Sequence, residues 1–139
     1  MYGEHQHNSD SKGRVSVPSK LRDALGETFM LSKGLDNCLN MYPMDEWKVI
    51  ENRAKALPDS AVDLRRFIFG GAEEVTVDKQ GRILIPQSLR KHAKLEEPGS
   101  VTVIGVLTKA ELWNSKLYEE RNASLTNDYI KSMMQQYEF

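Results

Sequence analysis

Residues 10–25 read DSKGRVSVPSKLRDAL and residues 78–93 read DKQGRILIPQSLRKHA, so one segment occurs twice in a chain of 139 residues. Six residues recur in register: Asp10/Asp78, Gly13/Gly81, Arg14/Arg82, Pro18/Pro86, Leu21/Leu89 and Arg22/Arg90. Two copies are too few for a solenoid, in which at least three units stack. The repeat therefore predicts one pseudo-symmetric body built from two copies of a supersecondary unit.

Each copy contains a tight turn with Asp at its first position and Gly at its fourth, which is typical of a type I turn. A β-rich run follows each turn and another precedes it, and this arrangement predicts two hairpins, over residues 4–17 and 74–85. Pro18 and Pro86 end the second strands and stand where a first helical turn can begin. Short helices are expected over 19–25 and 87–93.

A second strand pair and longer helices complete the unit. Strands are expected over four ranges, which are 28–32, 37–42, 100–107 and 111–113. Between the copies, the apolar spacing from Trp47 to Leu57 and the run 60–69 predict two helices. The tail after Trp113 is expected to be helical with a break at 122–127, where Asn, Ser and Thr collect.

The expected fold class is α+β, with two tandem pseudo-symmetric β-hairpin units, inserted helices and a C-terminal helix. We expect a single body over 1–139. Its parts are a first repeat (4–52), inter-repeat helices (53–71), a second repeat (72–118) and a helical tail (119–139).

Composition excludes several classes of protein. Apolar residues make up 40% and charged residues 28%, close to the averages for globular domains, so disorder is not expected. No apolar run approaches the roughly 18 residues of a membrane span. The first residues lack the basic start and apolar stretch of a secretory signal. The single cysteine, Cys38, excludes an internal disulfide, fits a reducing cytoplasm and is expected to be buried.

No feature of the sequence indicates an enzyme. Neither of the common glycine-rich phosphate-binding motifs occurs, and Cys38 has no histidine beside it in sequence. His5 and His7 project from the same face of a strand, but no further ligands stand at suitable spacing, so we interpret them as exposed strand residues. No catalytic residue, metal, cofactor or small-molecule substrate is expected.

The repeated turns concentrate positive charge. We interpret Asp10, Gly13, Asp78 and Gly81 as turn-forming residues, with each Asp accepting backbone N–H groups of its own turn. Arg14 and Arg82 follow the turns directly, and Lys12 and Lys79 lie within them. Two such turn tips side by side would form a compact cationic surface for phosphate contacts and for bidentate pairing of Arg with guanine. Intramolecular Arg–Asp ion pairs are the alternative for part of this set.

The repeated motif also carries a family resemblance. The pattern from Asp10 through Arg14 to Pro18, repeated from Asp78 through Arg82 to Pro86, resembles the MraZ family of bacterial transcription regulators. Three further stretches match, which are GLDNCL at 34–39, YPMDEW at 42–47 and FGGA at 69–72. The resemblance extends in order to about residue 120.

The resemblance implies two AbrB-like swapped β-hairpin units, shared with the AbrB and SpoVT regulators, in a double-psi-like small β-barrel. It implies a cytoplasmic, nucleoid-associated regulator that binds direct repeats in double-stranded DNA upstream of its own operon, the division and cell-wall (dcw) gene cluster. Family members form ring-shaped homo-oligomers. By position in the DxxxR motif, Arg14 and Arg82 are the implied DNA-binding residues, with Asp10 and Asp78 as acidic partners.

Two other functions stay open at this stage. An antitoxin-like or other interaction module of the same fold would bind a partner protein through the apolar residues between Tyr129 and Tyr137. A structural scaffold would form rings without a salt-dependent affinity for DNA.

The net charge of −1 restricts how DNA could be bound. It excludes a uniformly basic surface, and the cations crowd the two turn regions. We expect one subunit to bind one DNA box weakly, and several subunits together to supply the affinity.

Overall fold

Eight strands and six α-helices make up the chain, and the computed structural model describes all 139 residues. The strands are β1 (Glu4–Asn8), β2 (Arg14–Ser16), β3 (Thr28–Lys33), β4 (Leu39–Pro43), β5 (Glu73–Thr76), β6 (Arg82–Leu84), β7 (Ser100–Val106) and β8 (Lys109–Asn114). The helices are α1 (Ser19–Leu25), α2 (Met44–Lys55), α3 (Val62–Phe69), α4 (Gln87–His92), α5 (Ser115–Ala123) and α6 (Asn127–Gln136). Short 3₁₀ turns lie at Leu35–Asn37 and Asp59–Ala61.

Local sequence accounts for most of these boundaries. α1 and α4 each begin directly after a proline, whose fixed φ suits the start of a helix. The predicted break in the tail is confirmed, because α5 ends at Ala123 and α6 begins at Asn127. The side chain of Thr126 caps α6 by accepting a hydrogen bond from the backbone N–H of Tyr129.

The strand order shows that the two repeats are interlocked. The six-stranded sheet runs β1-β7-β8-β4-β3-β5, with every neighbouring pair antiparallel. The first strand of each repeat therefore lies in the part of the sheet built by the other repeat. β2 and β6, one from each repeat, form a separate antiparallel pair, which we call the central ribbon.

The prediction of two local hairpins was therefore wrong. The strands that flank each turn do not pair with each other: β1 pairs with β7 and β5 pairs with β3. β1 and β2 are joined only near the turn, by a bridge between Ser9 and Val15. Hairpins are marginal on their own, and pairing equivalent strands of both repeats buries Val15 and Ile83 in one shared core.

Equivalent positions of the two repeats fill this core. The buried residues include seven matched pairs: Val15/Ile83, Val17/Ile85, Leu21/Leu89, Leu25/Ala93, Phe29/Val101, Leu31/Val103 and Met41/Leu112. The sheet and the central ribbon enclose these side chains. Since each turn also joins the ribbon to an edge strand of the sheet, the strands surround the core as in a small barrel. The predicted α+β class, with two pseudo-symmetric swapped units, inserted helices and a C-terminal helix, is confirmed.

The helices stand around this strand assembly. Trp47 of α2 and Phe69 of α3 meet edge to face at 5.2 Å between ring centroids, so the two inserted helices pack together. No helix combines the length and the apolar character that crossing a membrane requires.

Candidate nucleic-acid interface

The central ribbon directs one set of side chains into the core and another set outward. Val15 and Ile83 are buried, whereas the alternate positions Arg14, Ser16, Arg82 and Leu84 are half-buried or exposed. Alternation along an antiparallel pair places these four residues on one outward face. The ribbon thus brings the arginines of both repeats to one surface.

Both Asp-to-Gly turns form as the sequence predicts. The N–H of Gly13 donates to the carbonyl of Asp10 at 3.1 Å, and the N–H of Gly81 donates to that of Asp78 at 3.0 Å. Each glycine has a positive φ, +83° and +77°, which is the region that glycine enters most readily. The Asp10 carboxylate also accepts the N–H groups of Lys12 and Arg14 at 3.0 and 2.9 Å.

The same carboxylates hold the arginine side chains. Nε of Arg14 donates to Asp10 at 2.6 Å, and Nε of Arg82 donates to Asp78 at 3.3 Å. Nη1 of Arg82 also lies 3.9 Å from the Asp10 carboxylate. Asp10, in the first repeat, therefore contacts the arginines of both repeats. The intramolecular ion pairs that the sequence left open do form.

These contacts shift the acidities of both aspartates. The backbone N–H of Arg14, helped by the Arg14 side chain, lowers the pKa of Asp10 to about 2. The backbone N–H of Arg82 lowers the pKa of Asp78 in the same way, with a further contribution from Gln80. Both carboxylates are therefore charged at neutral pH and act as fixed acceptors for the arginines.

The ion pairs leave part of each guanidinium group available. A guanidinium has five N–H donors, and Arg14 and Arg82 each use Nε for an aspartate. Their terminal nitrogen atoms make no hydrogen bond within the protein, and about a third of each side chain is exposed, 33% for Arg14 and 27% for Arg82. Arg14 can therefore present both of its terminal amino groups, the pair that recognises phosphate or guanine bidentately. Arg82 presents Nη2, and its Nη1 lies 3.9 Å from Asp10 without a hydrogen bond.

The sequence suggested that the two turns lie side by side, and the structure shows that they do not. In the antiparallel register Arg14 stands opposite Leu84 and Ser16 opposite Arg82, so the turns occupy opposite ends of the ribbon. Lys12 and Lys79 are exposed within these turns and therefore flank the arginines from either end. The arginines, not the turn tips, are brought together.

Arg22 and Arg90 have a positional role that the sequence did not reveal. Their guanidinium groups lie against the turn glycine of the other repeat, where a Cβ on Gly13 would stand 2.7 Å from Cζ of Arg90 and a Cβ on Gly81 would collide with Arg22. Nε of Arg22 also donates to the carbonyl of Val17 at 2.9 Å. The recurrence of both arginines in register was the available signal, but the cross-repeat contact depends on the swapped fold.

Other candidate groups have structural surroundings. His5 and His7 are half-buried rather than exposed, and no group of three or more His, Cys, Asp or Glu side chains is placed to hold a metal ion. Cys38 is buried as predicted, and its Sγ donates to the carbonyl of Leu35 at 3.1 Å. Burial raises the pKa of this thiol to about 12, so it stays protonated at neutral pH.

Comparison with known proteins identifies the repeat. The family model for the MraZ protein, described as antitoxin-like, matches residues 1–67 and again residues 68–132. A transcriptional regulator MraZ of Caldanaerobacter subterraneus subsp. tengcongensis is 52% identical over 127 residues, which cover 89% of this chain and 87% of the relative. The MraZ regulator of Acetivibrio thermocellus is 54% identical over 122 residues (86% and 84%), and that of Alkaliphilus metalliredigens is 50% identical over 139 residues (96% of each). With two matched repeats that together span the central ribbon and most of the chain, the protein belongs to the MraZ family.

Proposed function

We propose that this protein is a transcription regulator that binds double-stranded DNA in a sequence-specific manner through the outward face of the central ribbon. One observation carries the proposal: both DxxxR motifs meet on that face, and Asp10 contacts the arginines of both repeats. The names of the relatives, which are transcriptional regulators, support the same function.

The shape of the ribbon suits the major groove of DNA. That groove is about 12 Å wide and admits a two-stranded β-ribbon. With Nε held by an aspartate, Arg14 and Arg82 extend their terminal amino groups toward base edges. Lys12 and Lys79, at the two ends of the ribbon, contact the phosphates on either side of the groove.

The target and the assembly follow the family resemblance. We propose that the protein binds direct repeats in its own promoter, ahead of the division and cell-wall (dcw) operon, as a cytoplasmic, nucleoid-associated homo-oligomeric ring. In this proposal residues 4–52 and 72–118 are the two ribbon-forming repeats. The net charge of −1 supports an assembly of several subunits, because each subunit offers few cations to the DNA.

Footprinting on the DNA upstream of the gene tests the function. The wild-type protein should protect evenly spaced boxes, and Arg14→Ala and Arg82→Ala should each abolish protection while the fold and the oligomer stay intact. Arg66→Ala is the matched control, because Arg66 also pairs with an aspartate, Asp63, but on α3. Protection that survives both ribbon substitutions would contradict the proposal.

A second function has one observation in its favour. α6 and the residue that follows it expose an apolar group, formed by Tyr129, Ile130, Met133, Met134 and Tyr137. Such a face suits docking of a partner protein, as in an antitoxin-like module. A chain that ends at Ser124 should then lose that partner and keep its footprint and its oligomeric size. Loss of the footprint from this truncated chain would reject the second function.

A further inference from the structure

Leu84 is the one apolar side chain among the four on the outward face of the central ribbon. It is 57% exposed, because it alternates along the strand with two buried neighbours, Ile83 and Ile85, and so points outward. Its companions on the outward face of the central ribbon are Arg14, Arg82 and Ser16. Leu84 belongs neither to the buried core nor to the apolar residues packed against it.

The register places Leu84 directly beside Arg14. The N–H of Ile85 donates to Gly13 at 2.9 Å, and the N–H of Val17 donates to Gly81 at 2.8 Å. Hydrogen-bonded and non-hydrogen-bonded pairs alternate along antiparallel strands, so the intervening pair Arg14/Leu84 is of the non-hydrogen-bonded kind. The Cα atoms of such pairs are about 4.5 Å apart and their side chains stand close together.

The outward face is symmetric in its arginines and asymmetric in their neighbours. Arg14 and Arg82 are equivalent positions of the two repeats, as are Ser16 and Leu84. Arg14 therefore has a leucine opposite it, whereas Arg82 has a serine. A surface with this arrangement presents an apolar group to one half of a DNA site and a hydroxyl group to the other.

We propose that Leu84 is a base-reading residue that contacts the 5-methyl group of a thymine in the half of the DNA site occupied by Arg14. This inference rests on the proposed function, because it requires the ribbon to enter the major groove. The thymine methyl is the apolar group that base edges present there, and an apolar side chain reads it by direct contact. Ser16 cannot make this contact, so the two halves of one box are read differently and the box is not a palindrome.

Replacing thymine by uracil removes only that methyl group and provides the test. The probe is a short duplex that carries one box protected by the wild-type protein, prepared with thymine and with uracil in one half at a time. Uracil in the Arg14 half should weaken wild-type binding about fourfold, the value of one buried methyl group. Leu84→Ser should bind the thymine duplex more weakly by a similar factor and should not distinguish thymine from uracil.

Two further variants sharpen the result. Leu107→Ala is the matched control, since Leu107 is also an exposed leucine, 79% exposed, but stands between β7 and β8. It should keep the wild-type sensitivity to uracil. The double variant Ser16→Leu with Leu84→Ser exchanges the two neighbours and should move the uracil sensitivity to the other half of the box.

The outcomes separate this inference from the proposed function. If the wild-type protein protects no DNA, the proposed function itself fails. If it binds DNA but Leu84→Ser retains the full uracil effect, or if uracil has no effect on the wild type, the role of Leu84 is overturned alone. A fall in oligomer size for Leu84→Ser, measured by light scattering, would also overturn it, because Leu84 would then contact another subunit.

Discussion

Nη1 of Arg82 lies 3.9 Å from Oδ2 of Asp10, although the two residues belong to different repeats. The same oxygen of Asp10 accepts a hydrogen bond from Nε of Arg14 at 2.6 Å. Of the two arginines, Asp78 pairs with Arg82 alone. The pseudo-symmetric site is therefore not symmetric in its ion pairs, and the first aspartate is shared by both arginines.

Asp10→Asn should reduce sequence specificity more than Asp78→Asn does. Asn keeps a carbonyl oxygen for the turn N–H groups but loses the charge that orients the arginines. We expect the ratio of specific to random-sequence affinity to fall about tenfold for Asp10→Asn, from the loss of charge-assisted hydrogen bonds. Titration of each variant with a duplex that carries the specific site and with a duplex of random sequence measures this ratio. Equal losses in the two variants would show that the shared contact has no effect.

Lys12→Ala and Lys79→Ala should weaken binding to all DNA sequences alike. A lysine on a phosphate displaces one counterion, so each substitution should lower the slope of log affinity against log salt by about 1. Both lysines lie at exposed turn positions, so their removal leaves the fold intact. Affinities measured over a series of salt concentrations give the slope. An unchanged slope would place the turn tips away from the phosphates.

Gly13→Ala and Gly81→Ala should destabilise the fold by about 1–2 kcal/mol each, because an L-residue is strained at their φ of +83° and +77°. The new methyl group would also displace the guanidinium of Arg90 or Arg22. Urea unfolding provides the measurement. Gly99→Ala is the control, since a Cβ there has no atom within 4 Å, and it should leave the unfolding midpoint unchanged.

Asp10 should contribute to acid stability. Its pKa is lowered from 3.8 to about 2 in the folded protein. A carboxyl group with a lowered pKa stabilises the fold above its unfolded pKa, and this stabilisation is lost as the pH falls from about 4 toward 2. The free energy of unfolding of the wild type should therefore approach that of Asp10→Asn over this range. Urea titrations at several pH values, with Asp63→Asn as the control, test it; a constant difference between wild type and Asp10→Asn would contradict it.

The two repeats should unfold together. Each exchanges its first strand with the other, so neither can lose its structure alone. The two tryptophans, Trp47 and Trp113, report on different halves of the molecule and are both buried. Each of the variants Trp47→Phe and Trp113→Phe keeps one tryptophan, whose fluorescence can be followed during urea unfolding. The two variants should give the same m-value, and in each variant the fluorescence transition should coincide with the transition seen by far-UV circular dichroism. Separate transitions by the two methods would show that the halves are independent.

Much of the site was readable from the sequence. The Asp-to-Gly turn has a local cause, since Asp10 accepts the N–H groups of residues two and four positions later. Recurrence of the motif identified Arg14 and Arg82 without any knowledge of their surroundings. The sequence left open whether the arginines form an exposed cationic surface or pair with the aspartates of their own motifs. Both occur, because Arg14 and Arg82 pair with these aspartates and also lie on the outward face of the central ribbon.

The pairing partners of the strands could not be read in the same way. Alternation in β1 and β2 indicates extended chain on both sides of a turn, and a local hairpin is the simplest way to satisfy that pattern. The partners are instead distant in sequence, with Glu4 opposite Ile104 and Arg14 opposite Leu84. Because the two repeats are so similar, each strand has nearly the same pattern of apolar side chains to offer its own repeat or the other.

By itself the sequence determined the elements, the turns, the duplicated motif and the residues that carry its charge, because each of these depends on neighbours a few positions away. Tertiary structure alone decided that the repeats exchange strands, that Asp10 serves both arginines, that Arg22 and Arg90 pack on the turns of the other repeat, and that Leu84 stands beside Arg14. These relationships arise when two copies bury one common core, and residues about 70 positions apart become neighbours only through that burial.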